Sequence, residues 1–200
     1  TGKSARSPRW VWILVAIYIV VFGSLAVRRH TTHNSFSLDL GIMSQVTWNT
    51  ANGRPFETSL GRAQYDELLG SYLGNHVRPV LLSLAPLYRL WPDPRLLLTI
   101  QTVCLGLGAL PLYWIAHTDV DSEPARVTLV VTYLLYPALG FLNLFDFHPV
   151  AFCVPAFLLA VWALRNDRSI SSQFSMEWIK WTRGAVMKCF GGNWCLAPTG

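Results

Sequence analysis

Residues 10–27 read WVWILVAIYIVVFGSLAV, eighteen successive residues without a charged side chain. About 18 apolar residues are enough to cross the hydrocarbon core of a bilayer as an α-helix. A secretory signal peptide is the alternative, but the run is long for one, and Arg28-Arg29 stand where a small-residue cleavage site should be. We therefore predict an uncleaved transmembrane helix at 10–27, preceded by a short basic stub at 1–9.

The composition of the whole chain is also typical of a membrane protein. Of its 200 residues 52% are hydrophobic and 14% are charged, whereas a soluble domain carries about 25% charged residues. The net charge of +5 is spread along the loops without a basic block, so we expect no nucleic-acid partner. This composition predicts that the protein is surrounded by membrane lipids.

Three more apolar runs follow, and we predict a transmembrane helix in each of them: residues 94–116, 125–145 and 149–164. A proline stands at the start of the first and the last of these runs, where the missing N–H costs nothing. A kink is expected at Pro137 inside the middle run. The fold class is thus all-α, a polytopic transmembrane helical protein of about four spans.

The connection 28–93 is long and rich in glycine and proline. Such a loop rarely lacks structure of its own. Within it, Ser37–Ala51 has apolar residues at four-residue spacing and predicts an amphipathic interfacial helix. Pro79–Trp91 is apolar but too short to span, so we expect a re-entrant or surface-lying helix there.

Four spans put alternate connections on opposite sides of the membrane. The lysines and arginines near span ends favour a cytoplasmic N-terminus, in a protein of the cell membrane. Residues 28–93 and 145–149 are then extracytoplasmic together. The tail 165–200 is predicted to be cytoplasmic, and its Trp- and Gly-rich sequence to be a truncated or frame-shifted end, with the chain a fragment of a longer protein.

Ionisable residues next to the spans are the candidate functional groups, because polarity at membrane depth is costly. Asp146 and His148 flank Phe147 between two apolar runs, and in an extended turn residues two apart point the same way. The structural alternative is that Asp146 caps a helix end and His148 lies in the interface. For Asp39, in a helix first turn, the alternative is simple stabilisation by the helix dipole.

No cofactor is predicted from the sequence. Four nitrogen or oxygen ligands from Asp39, His76, Asp146 and His148 would suit Mn, Mg or Zn, but no local spacing such as H-E-x-x-H supports a metal. The four cysteines match no zinc or redox spacing. Phosphate-binding and nucleophile-elbow motifs are also absent from the sequence, so soluble nucleotide chemistry is not supported.

Several motifs in order over residues 10–168 resemble a family of predicted prokaryotic membrane proteins, known as domain of unknown function 2079. The motifs are Phe36–Ile42 (FSLDLGI), Gln45, Trp48-Asn49-Thr50, Gly53–Phe56 (GRPF), Asn75–Pro79 (NHVRP), Ala85–Tyr88 (APLY), Leu110–Tyr113 (LPLY), Tyr133–Pro137 (YLLYP) and Asn143–Pro149 (NLFDFHP). The tail after Arg168 shows no resemblance.

This family is distantly similar to the GT-C glycosyltransferases, which take a sugar from a polyprenyl-phosphate carrier. The similarity implies a GT-C-like N-terminal portion in which Asp39 matches the acid of the first extracytoplasmic loop. Asp146 and His148 would then shape the site or assist proton transfer. Arg54 or Arg78 would hold the donor phosphate, since arginine offers a bidentate fork to phosphate oxygens; the alternative for each is a solvated charge in the loop. His76 is a further candidate ligand, and the alternative for it is a solvated loop histidine.

Two other classes of function stay open. In a transporter or channel component, Asp146 and His148 would form a proton or ion relay. In a non-catalytic membrane assembly protein, none of the candidate residues would carry chemistry. The oligomeric state is not predicted by the sequence.

Overall fold

The computed structural model describes residues 7–32, 37–59, 72 and 78–165; most of these are helical, and there is no strand among them. The all-α fold class is confirmed. The described residues up to Leu159 belong to one compact unit, and residues 160–165 are the described part of a second. The helices are α1 Arg9–Thr31, α2 Ser37–Ala51, α3 Val80–Leu90, α4 Pro94–Leu107, α5 Ala109–Asp119, α6 Glu123–Leu134, α7 Pro137–Phe145 and α8 Cys153–Arg165, and a 3₁₀ turn, Pro149–Phe152, precedes α8.

Three of the described segments are long and apolar enough to cross a membrane: Arg9–Thr31, Pro94–Asp119 and Glu123–Phe145. The fourth predicted span falls on Pro149–Arg165, an apolar segment shorter than these three. The two predicted interfacial segments coincide with α2 and α3. Most of the predicted stub 1–9 and nearly all of the tail 165–200 lie outside the described residues.

Two of the spans are each built from two helices. Gly108, between α4 and α5, keeps helical dihedral angles (φ −59°, ψ −20°), so the chain continues in the same direction. Between α6 and α7 the helix instead stops at Leu134, and Tyr136 is extended (φ −61°, ψ 122°) before Pro137 starts α7. Proline cannot donate to the preceding turn and disfavours helical geometry one residue earlier. The kink expected at Pro137 is therefore a full break of the helix.

The three spans run in alternating directions. At one end, here called the Trp10 end, the indole Nε1 of Trp10 donates to Oε1 of Glu123 at 2.9 Å. The indole Nε1 of Trp114 donates to Oγ of Ser7 at 2.9 Å. The starts of α1 and α6 and the end of α5 therefore lie together.

At the opposite end, here called the Phe147 end, one hydrophobic cluster joins elements that are far apart in sequence. It contains Ala26 late in α1, Leu97 and Leu98 early in α4, and Phe147 just after α7, together with buried residues of α2 and α3. The described parts of the connection 28–93 therefore lie at the same end of the bundle as residues 145–149.

Helices α2 and α3 pack against each other at the Phe147 end. The buried face of α3 consists of Leu81, Leu84, Ala85 and Tyr88, at the spacing of one helical stripe. The hydroxyl of Tyr88 shares a hydrogen bond of 2.5 Å with the hydroxyl of Ser44 on α2. This bond satisfies a polar tip that would otherwise be buried without a partner.

Candidate functional site at the Phe147 end

Asp39 lies in the first turn of α2, and its side chain is exposed. Met43 follows one turn later on the same face of the helix. The Nη1 of Arg78 lies 3.5 Å from the Met43 sulfur, which brings the guanidinium to this face. The acidic Asp39 and the basic Arg78 are separated in sequence by most of the connection between α2 and α3. In the structure both are therefore near the same face of α2.

Tyr72 lies close to both of these charges. The Cζ of Arg78 is 5.5 Å from the centre of the Tyr72 ring, within the range of a cation–π contact. Burial raises the pKa of Tyr72, the charge of Asp39 adds to this effect, and the charge of Arg78 opposes it. The phenol is therefore neutral at pH 7. We call Asp39, Tyr72 and Arg78 the Asp39 cluster.

Neither charge of the Asp39 cluster is neutralised by an ion pair within the described part of the chain. The ion pairs found there join Arg54 to Glu57, Arg95 to Asp93 and Arg126 to Glu123. No ion pair with a described residue therefore prevents the Asp39 carboxylate or the Arg78 guanidinium from binding a ligand.

Arg54 has a different environment from Arg78. Its Nη2 donates to Oδ1 of Asn49 at 2.9 Å, and its Nε is 3.8 Å from a Glu57 carboxylate oxygen. The main-chain N–H of Arg54 also donates to the carbonyl of Asn49. These contacts hold Arg54 within the turn that follows α2, so Arg78 is the better placed of the two predicted phosphate ligands.

Asp146 and His148 lie in the extended segment between α7 and the 3₁₀ turn. Asp146 is 2% exposed and Phe147 is 1% exposed, whereas the His148 side chain is only partly buried. The Nδ1 of His148 is 3.4 Å from the carbonyl oxygen of Asp146. Of the two predicted residues, the imidazole is therefore the one with access to solvent or ligand.

Gln101 is the residue of this region that sequence reasoning missed. It is fully buried in α4, and its Nε2 donates to the carbonyl of Asp146 at 2.8 Å and to that of Leu142 at 3.2 Å. Its Oε1 accepts the main-chain N–H of His148 at 2.7 Å. The signal in the sequence was a carboxamide inside an apolar run, which is costly unless every polar atom is bonded.

Two further points concern His76, a candidate ligand, and a metal site, which the sequence did not support. His76 lies outside the described residues. Among the residues that the structure does describe, no group of three His, Cys, Asp or Glu side chains is arranged to hold a metal ion. The described candidates thus fall into the Asp39 cluster, the Arg54 turn and the 146–148 segment, all of them at the Phe147 end.

No curated protein and no solved structure matches this chain. A family model does match it, with the description "Predicted membrane protein (DUF2079)", over residues 29–183. The match begins later than the resemblance drawn from the motifs and continues past Arg168, so residues 169–183 belong to the family region after all. The chain therefore belongs to the DUF2079 family of predicted membrane proteins.

Proposed function

We propose that this protein is a GT-C-like glycosyltransferase that takes a sugar from a polyprenyl-phosphate donor at the extracytoplasmic face of the cell membrane. The observation that carries the proposal is the Asp39 cluster. An exposed carboxylate and a guanidinium lie beside one buried phenol, and neither forms an ion pair with a described residue. Such a pair offers a proton acceptor and an anion ligand side by side.

In the proposed reaction, Asp39 accepts the proton of the acceptor hydroxyl as that oxygen attacks the anomeric carbon of the sugar. The bond between this carbon and the phosphate oxygen breaks, and polyprenyl phosphate leaves with the electron pair. Arg78 stabilises the charge that develops on the phosphate. Tyr72 is neutral and packs against the Arg78 guanidinium, and in this proposal His148 forms another wall of the site.

The orientation belongs to the same proposal. The Phe147 end is extracytoplasmic if the N-terminus is in the cytoplasm, as the arginines and lysines near the span ends favour. A lipid-linked donor then reaches the Asp39 cluster by diffusing within the outer leaflet, with its phosphate at the level of the headgroups. Membrane lipids and the donor are the partners that this arrangement implies.

The proposal is tested by assaying sugar transfer from a synthetic polyprenyl-phosphate sugar in membranes that contain the protein. Asp39→Asn keeps the size of the side chain and removes the base, so transfer is expected to fall by about 10²-fold or more. Asp119→Asn is the matched control, because Asp119 is an exposed acid at the end of α5, on the Trp10 side. Unchanged transfer in Asp39→Asn would overturn the assignment.

A transporter is the second candidate, and the burial of Asp146 favours it. A carboxyl that is 2% exposed at the end of a span is the kind of group that proton-coupled transporters use. Proton-driven uptake into vesicles that is lost in His148→Ala, with Asp39→Asn unaffected, would support this function over the transferase.

A further inference from the structure

We propose that Gln101 is a positioning residue that holds the main chain of residues 146–148, so that Asp146 and Phe147 point into the core and His148 stays accessible. The role given to His148 as a wall of the site rests on the proposed function. The positioning itself is a property of the fold and is measurable without a sugar-transfer assay.

The side chain of Gln101 is committed to the backbone of one segment. Its two amide hydrogens serve the carbonyls of Asp146 and Leu142, at 2.8 and 3.2 Å, and its oxygen serves the N–H of His148, at 2.7 Å. A buried carboxamide is costly when any of these atoms lacks a partner. The burial of the Gln101 side chain therefore depends on the main-chain conformation of residues 146–148, and that conformation depends on Gln101.

The segment needs such partners because the chain is buried at Asp146 and Phe147, directly after the end of α7. The last four carbonyls of a helix have no partner within the helix, and Leu142 is among the last four residues of α7. Pro149 follows at once and has no N–H to contribute. A side chain from the neighbouring span thus supplies the hydrogen bonds that water supplies at an exposed helix end.

The outcome is a segment in which neighbouring residues differ sharply in exposure. The Phe147 ring packs 6.1 Å from the Phe152 ring, and it joins the cluster that contains Leu97 and Leu98. The His148 ring lies 5.4 Å from the Phe145 ring, which is itself exposed at the surface. If the main chain were released, the exposures of residues 146 and 148 would become more alike.

The test uses two single-cysteine reporters, Asp146→Cys and His148→Cys, in a background where Cys104, Cys153, Cys189 and Cys195 are replaced by alanine. Membrane fragments open on both sides are treated with a polar maleimide, and the ratio of the labelling rates at 148 and 146 is measured. Gln101→Met keeps the side-chain volume and removes the hydrogen bonds. We expect the ratio to fall by about tenfold, as loss of one or two buried hydrogen bonds predicts.

Two further variants separate positioning from a general loss of stability. Gln101→Glu retains an oxygen for the His148 N–H, and an intermediate ratio is expected. Gln45→Met is the matched control, because Gln45 accepts from Thr58 and Ser59 and donates to Ser59 in a different loop.

The control is expected to leave the ratio of the labelling rates unchanged. The proposal is overturned if Gln101→Met labels like its parent, or if Gln45→Met lowers the ratio equally. If Gln101→Met does not accumulate in membranes, the ratio of the labelling rates at 148 and 146 is measured in Gln101→Glu instead. A ratio below that of the parent supports the positioning role, and a ratio equal to that of the parent contradicts it.

Discussion

Thr102 and Asn143 join two neighbouring spans through a hydrogen bond of 2.9 Å between the threonine hydroxyl and the asparagine Oδ1. Thr102 is 0% exposed and Asn143 is 1% exposed. Gln101 binds the same stretch of α7 from the adjacent position. Two successive polar residues of α4 thus fix the end of α7, and with it the segment that carries His148.

Removing one partner of this hydrogen bond is expected to cost more than removing both. Thr102→Val leaves the Asn143 amide buried without its partner, which lowers the free energy of unfolding by about 1–3 kcal/mol. Thr102→Val combined with Asn143→Leu is expected to recover part of this loss, because replacing both partners by apolar groups is nearly neutral. Thermal unfolding in detergent measures these two variants and Asn143→Leu alone, and strictly additive losses would contradict the coupling.

Gly108 is expected to tolerate no side chain. A Cβ there would overlap the hydroxyl of Tyr133, which donates to the carbonyl of Leu105 at 2.8 Å. Gly108→Ala is therefore predicted to lower the free energy of unfolding by about 1–3 kcal/mol, as overpacking does. Adding Tyr133→Phe removes the overlapping oxygen and is expected to restore part of the stability.

The control for this variant is Gly41→Ala in α2. A Cβ at Gly41 meets nothing within 4 Å. Alanine in a helix interior is favoured over glycine, so a gain of about 0.5–1 kcal/mol is predicted. Equal effects of the two substitutions would show that helix propensity, and not the contact with Tyr133, decides the result.

Asp93 is predicted to give the protein an acid-sensitive contribution to stability. Its carboxylate accepts hydrogen bonds from the Arg95 side chain, and these lower its pKa below the ordinary value of 3.8. It also accepts the main-chain N–H of Arg95 as the cap of α4. Because the pKa is lower in the folded protein, the contribution is complete above pH 3.8 and is lost as the pH falls through the folded value.

Melting temperatures of the parent and of Asp93→Asn measure this contribution. The difference between them is expected to shrink when the pH is lowered from about 5 to about 3. In an Arg95→Gln background the same comparison is expected to show a smaller difference at the higher pH, because the charged partner is gone. A difference that grows on acidification would contradict the sign of the effect.

The pattern of apolar residues predicted much of the fold. The charge-free run at 10–27 lies within α1, and four-residue spacing marked out α2 to within its observed limits, Ser37–Ala51. The shared end of residues 145–149 and the described parts of 28–93 followed from counting spans, because an odd or even number of crossings decides the side whatever the packing. Local sequence alone was sufficient for each of these features.

The parts that escaped prediction depend on contacts between distant residues. Gln101 has no periodic signal, because its partners are backbone atoms 41 to 47 positions further along the chain. The different exposures of Asp146 and His148 follow from the packing of Phe147. The rule that residues two apart in an extended turn point the same way takes no account of such packing. The engagement of Arg54 by Asn49 depends on the fold of the turn after α2, so sequence could not separate Arg54 from Arg78.

The measurement that tests the proposed function most directly is the steady-state kinetics of sugar transfer in Asp39→Asn and Arg78→Gln. Loss of the base is expected to lower kcat by about 10²-fold or more with the donor KM little changed, and loss of the phosphate ligand to raise the donor KM by about tenfold. Arg89→Gln, an exposed arginine of α3, is the control and is expected to behave like the parent. A parent-like kcat in Asp39→Asn would contradict the transferase site, and a parent-like donor KM in Arg78→Gln would contradict the role of Arg78 as the phosphate ligand.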